Sequence, residues 1–202
     1  LNASDSRASE GFADSDAFQW DVDGDGTFEE AGEEGTHTYT EHGTKAVKLN
    51  VTDSRGNSSI ATTYVHVADI SPPNAVAGAN VTITDGALSV DESDTVEFNA
   101  TDSTKNGTEI ASYEWAFPDF QNDDQATEQS GETVTYRFSP GEQNGPGDYT
   151  VNLTVIDEAG NENPTALTVT VNDVTPPSAD AGGDIVAERG ESFAFDGTGS
   201  TD

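Results

Sequence analysis

The chain has 202 residues, enough for one large domain or two ordinary ones, and only 32% of them are hydrophobic. It carries 39 Asp and Glu against 7 Lys and Arg, a formal charge of −32, which argues against nucleic acid or an anionic membrane surface as a partner. Cys and Met are absent, which excludes a disulfide framework and thiol chemistry, and no apolar run is long enough to span a membrane.

The predicted elements are strands, in chain order. Phe18-Gln-Trp20-Asp-Val22 alternates, so Phe18, Trp20 and Val22 share one face. An acidic turn, Asp21-Val-Asp23-Gly-Asp25-Gly26, overlaps its end. His37 is expected as a structural strand residue. Ala46–Val51 puts Val47, Leu49 and Val51 on one face, and Asp53-Ser-Arg-Gly-Asn57 reads as a hairpin loop whose Gly56 supplies a positive φ. Tyr64, with Val65 and Val67, closes this unit less cleanly. Ile70-Ser-Pro-Pro73 reads as a short stiff linker. The same series then returns: Tyr113-Glu-Trp115, the alternating Tyr149–Val155, the loop Asp157-Glu-Ala-Gly-Asn161, the strand Leu167–Val171 and the linker Val174-Thr-Pro-Pro177. No convincing amphipathic helix is present.

These recurrences define a repeat of about a hundred residues. Asp53, Gly56 and Asn57 fall on Asp157, Gly160 and Asn161 at an offset of 104, as does Pro72-Pro73 on Pro176-Pro177. Leu1–Ser6, Phe98–Ser103 and Phe195–Ser200 are related by offsets of 97. The expected organisation is a module lacking its first strand (1–71), a complete module (72–175) and the opening strands of a third (176–202). The chain begins at Leu1 and shows no signal peptide, so its true beginning is expected upstream.

Together the motifs resemble the PKD (polycystic kidney disease) repeat, whose pattern joins F-D-(A/G)-(S/T)-x-S, Y-x-W-D-F-G-D-G and a closing run ending D-x-x-G-N. The first copy shows Phe18-Gln-Trp20-Asp-Val-Asp-Gly-Asp-Gly26, His37-Thr-Tyr39 and Gly43–Asn57; the second shows Tyr113-Glu-Trp115, Tyr136 and Gly147–Asn161. The second departs at the turn, with Ala116 and Pro118 where the family has Asp and Gly. The resemblance implies an all-β fold of tandem immunoglobulin-like β-sandwich repeats. Each copy has one Trp at the same place, expected in the core between two sheets and not exposed to stack on sugars. The acidic version of the family looks like haloarchaeal surface glycoproteins.

Disorder, cation binding and adaptation to high salt all produce strong acidity. Here the acids are spread along the chain and interleaved with strand patterns, while Lys occurs only at positions 45, 48 and 105, which favours high salt. Seven of thirteen Asn lie in sequons: Asn2, Asn50, Asn57, Asn80, Asn99, Asn106 and Asn152. This excess over chance points to N-linked glycans on a surface protein.

Carboxylates at Asp21, Asp23 and Asp25 followed by Gly26 form the front half of an EF-hand-like loop, and the expected ion is Ca²⁺. Position twelve is Gly32, so Glu29 or a neighbouring Glu is needed to complete the set. The competing reading is a plain acidic turn. Asp69 and Asp173, each just before a linker, offer a weaker option of sharing a cation at the junctions. No catalytic or phosphate-binding motif is present, and no enzymatic activity is expected.

The expected role is therefore structural and extracellular: part of a cell-surface layer, stalk or filament. It would be built from contacts with adjacent PKD-like modules or other copies, including strand donation by 176–202, without direct membrane insertion. The alternative is a carbohydrate- or protein-binding accessory region of a secreted enzyme.

Overall fold

The computed structural model describes residues 1–9, 11–12, 14–118, 127–139 and 146–201. The chain folds into two compact units. One takes in Leu1–Pro73, Lys105–Ala111 and Ile156–Glu162; the other takes in Asn74–Thr104, Ser112–Val155 and Asn163–Asp202.

In the first unit a 3-10 turn, Ser15–Ala17, leads into β1 (Phe18–Asp21), followed by β2 (Glu30–Ala31), β3 (Gly43–Thr52) and β4 (Ser58–Val67). They form one sheet in the order β2-β1-β3-β4. β1 and β3 run antiparallel with Trp20 opposite Leu49 and Asp21 opposite Lys48. The two-residue alternation sends Phe18, Trp20, Val47 and Leu49 to the same side, where they pack with Val22, Ala3 and Ala17. Leu1, Phe12 and Tyr39 cover this core. β4 turns Val65 inward and Tyr64 out, Tyr64 and Ile60 being more than 60% exposed, and so accounts for the irregular pattern at Tyr64. His37 lies outside the strands, correcting its expected place; its ring meets Tyr39 edge-on at 4.8 Å, beside Glu30.

The second unit contains β5 (Gly78–Ala79), β6 (Ala87–Asp91), β7 (Thr95–Asn99), β8 (Ile110–Ala116), β9 (Glu128–Ser130), β10 (Thr133–Arg137), β11 (Gly147–Asp157) and β12 (Glu162–Asn172). The tips of β8, β11 and β12 are shared with the first unit. A three-stranded sheet, β10-β7-β5, faces a five-stranded one, β6-β12-β11-β8-β9. β6 joins β12 in parallel, with Val90 beside Val171, while the other described pairings are antiparallel. Val151, Leu153, Val155 and Val169 are wholly buried, each contributing about 1.5–3 kcal/mol by leaving water. Phe98 of β7 meets Trp115 of β8 at 5.8 Å across the gap between sheets. Phe117 stacks on Tyr136 at 4.3 Å with rings nearly parallel.

Both units fasten the tryptophan alike. Trp20 Nε1 donates to Gly32 O and Trp115 Nε1 to Gly131 O, each at 3.0 Å. Both glycines have positive φ, +114° and +142°. A backbone oxygen accepts each tyrosine hydroxyl, that of Val22 from Tyr39 and that of Pro118 from Tyr136. The hairpin turns also agree: Asn57 and Asn161 fold onto Asp53 and Asp157, and Gly56 and Gly160 share φ +85°.

Residues 176–201 form no strand, in contrast to the opening strands expected there, but their ends meet as residues 74 and 104 do. Ser178 and Thr201 exchange two backbone hydrogen bonds at 2.7 and 3.0 Å, as Asn74 and Thr104 do at 2.8 and 3.0 Å. Ser200 Oγ accepts from Asp180 N–H at 3.0 Å, as Ser103 Oγ does from Val76 at 2.9 Å. Within this opening, Val186 and Phe195 are more than 80% exposed.

Candidate functional site

The acidic loop begins where β1 ends. Asp21 carries no exposed surface, although its neighbours along the strand, Trp20 and Val22, are the residues that alternation assigns to the core. Its carboxylate is enclosed by donors: Gly24 N–H at 2.6 Å, Gly26 N–H at 3.1 Å and Lys48 Nζ at 2.7 Å. Lys48 is its cross-strand partner on β3 and also donates to Gly24 O at 3.1 Å. These contacts, the lysine foremost, hold the Asp21 carboxyl below the ordinary Asp value despite the opposing cost of burial. Gly24 must be glycine, since at φ +85° an added Cβ would stand 2.8 Å from Ala46 O.

Asp23 and Asp25 are exposed and turn back on the loop, accepting from Asp25 N–H at 3.1 Å and Thr27 N–H at 2.7 Å. Glu29 reaches back from beyond the turn to accept Val22 N–H at 3.0 Å. One carboxylate oxygen from each of Asp21, Asp23, Asp25 and Glu29 lies within 4.8 Å of the others. The donor set is all oxygen and suits a hard cation such as Ca²⁺. The Lys48 ammonium already supplies a cation at Asp21, so a metal ion would compete with it. Gly32, at the EF-hand's twelfth position, is held for a different purpose: its carbonyl receives Trp20 and its positive φ closes the hairpin. The sequence pattern missed Lys48, whose signal was its place opposite Asp21 as one of only three lysines.

In the second copy Ala116 follows Trp115 where Asp21 follows Trp20, so the buried acid is absent there. The turn residues 119–126 lie outside the described residues. Of the junction acids, Asp69 accepts from the amides of Ser71 and Thr108, and Asp173 from Thr175.

Among the sequons, Asn2, Asn57, Asn80, Asn106 and Asn152 are exposed, while Asn50 and Asn99 are half-buried within β3 and β7. Asn2 and Asn57 bond Glu34 and Asp53 through their side-chain amides, and Asn80 accepts from Glu97 N–H. Asn50 Oδ1 is buried without a hydrogen-bond partner.

Two facing antiparallel sheets closed by one parallel edge strand, with a tryptophan between them, define an immunoglobulin-like β-sandwich. The PKD domain family matches residues 1–67 and again 71–171, and the chain belongs to that family. It is 33% identical over 165 residues to the mouse dyslexia-associated protein KIAA0319-like protein, a match covering 79% of this chain and 15% of the mouse protein. Among solved structures it is similar to a carbohydrate-binding module of the β-sandwich superfamily, at 23% identity and TM-score 0.40 over 56% of this chain and 39% of that one. It is also similar to the N-terminal four immunoglobulin domains of Dscam1, at 13% identity and TM-score 0.30 over 77% of this chain and 37% of that one. The chain thus spans well under two thirds of each of these relatives.

Proposed function

We propose that the chain is a structural segment of an extracellular protein of the haloarchaeal acidic glycoprotein type, a PKD array that builds a cell-surface layer, stalk or filament. The observation that carries this reading is the recurrence of one module design along 202 residues, with the tryptophan–glycine fastening present in two copies and the opening bridge in two. Such a series makes length and regular spacing and has no need of a catalytic centre. The charge of −32 suits molar salt, where screening shortens electrostatic reach to about 3 Å. Glycans on the exposed sequons would add a hydrated coat. Ca²⁺ is the ion the 21–29 loop would take, at the expense of its lysine.

Neighbouring modules are the partners this reading requires. β12 has β6 on its outer edge, and β4 is the corresponding strand of the first unit. An opening segment of the 185–195 type, from the same chain or another copy, is the complement to β4. Shortening the chain by 176–202 tests donation between copies, which predicts that assembly is lost. The competing reading, an accessory binding region of a secreted enzyme, predicts saturable binding to a polysaccharide panel in molar salt. The structural reading predicts none.

A further inference from the structure

The first unit gathers two loops, 105–111 and 156–162, on a single acid of the segment before the Pro72-Pro73 linker. Asp69 Oδ1 accepts Ser71 N–H at 3.0 Å and Oδ2 accepts Thr108 N–H at 2.6 Å. The main-chain oxygen of Asp69 accepts from Asn161 Nδ2 at 3.3 Å. Asn161 is aimed by Asp157, which takes its backbone amide at 2.8 Å and its side-chain amide at 2.9 Å. Glu158 N–H donates to Glu109 O at 2.8 Å and ties the two loops together. Gly107 stands at φ +132°, and a Cβ there would collide with the Asp69 carboxylate. The space a side chain would fill is the space the carboxylate occupies.

We propose that Asp69 is a latch within the first unit: its carboxylate fastens the segment before Pro72-Pro73 to the Gly107-Thr108 loop. Asp173 Oδ1 accepts Thr175 N–H at 2.9 Å, the turn that Asp69 makes with Ser71, ahead of Pro176-Pro177. An acid is suited to this because one carboxylate takes two amides at once in charge-assisted bonds, and Pro-Pro limits the linker's other conformations. The latch does not depend on the array's biological role, so its failure would leave the structural reading standing.

The test is amide hydrogen exchange on the 202-residue chain in molar KCl, with Asp69→Asn, Asp69→Ala, Gly107→Ala and Asp69→Ala/Gly107→Ala. The latch predicts at least tenfold faster exchange at Ser71 and across 105–111 in Asp69→Ala, a smaller rise in the isosteric Asp69→Asn, and an unchanged β3–β4 ladder. It also predicts that Gly107→Ala speeds exchange strongly in the native background and little further once Asp69 is gone. Unchanged exchange at 105–111 in both Asp69 variants would overturn it. So would an equal effect of Gly107→Ala in both backgrounds, which would trace to backbone strain alone.

Discussion

Lys48 Nζ lies 2.7 Å from Asp21 Oδ2, and that aspartate has no solvent-exposed surface. In a chain with 39 acids and 7 bases, a lysine has been placed opposite the acid that is drawn furthest inside among the described residues of its unit. Taking the lysine away strands a buried carboxylate, which is more damaging than losing both partners together.

The first prediction concerns acid. The folded-state pKa of Asp21 lies below its ordinary 3.8, with Lys48 the leading cause. The group therefore adds stability that is fully present above the unfolded value and is lost as pH falls through the folded one. Melting temperature should drop as pH falls below about 4. Lys48→Met should lower it at pH 7 and flatten its acid dependence, whereas Lys48→Met with Asp21→Asn should recover part of the loss. Melts between pH 7 and pH 2.5 at constant molar KCl measure this.

Calcium gives the second. With Lys48 bound at Asp21, added Ca²⁺ should raise the melting temperature of the native chain only modestly. Lys48→Gln should enlarge the rise by vacating Asp21, and Asp23→Asn with Asp25→Asn should abolish it in both backgrounds. A calcium-induced rise that survives the double Asn change would place any binding elsewhere.

The third tests the shared tryptophan fastening. Gly131→Ala forces a side chain into φ +142° with its Cβ 3.3 Å from Thr133 O. It should cost upwards of about 1 kcal/mol, and Gly32→Ala, at φ +114° against Glu34 O, should behave alike. Trp115→Phe should cost about 1–3 kcal/mol from the orphaned Gly131 carbonyl, plus the cavity. Urea denaturation in molar KCl, read by fluorescence, gives all three.

Glycan occupancy is the fourth. Exposed Asn80, Asn106 and Asn152 should carry glycans in native material, while Asn50 and Asn99, half-buried in β3 and β7, should be largely bare. Glycopeptide mass spectrometry reads each site separately.

The fold was legible because its signals are periodic. Val47-Lys-Leu49 and Val151-Asn-Leu153 state strand and inner face outright, and the matched Asp-x-x-Gly-Asn loops state the hairpins. The candidate site was half legible. The spacing of Asp21, Asp23 and Asp25 marks a cation-attracting loop, but alternation assigns Asp21 to the outer face of its strand. Only the sheet register brings Lys48 over it. Gly32 reads as a missing ligand in a linear motif because its duty to Trp20 is twelve residues away. The Asp69–Thr108 contact spans 39 residues and rests on backbone amides, which leave no mark in the pattern of side chains.

Whether these modules build an array can be seen by electron microscopy of native material released from the cell surface and kept in molar salt. Ordered filaments or sheets whose repeat matches one or two modules are the expected result. Dispersed single particles without such a repeat would contradict the structural role.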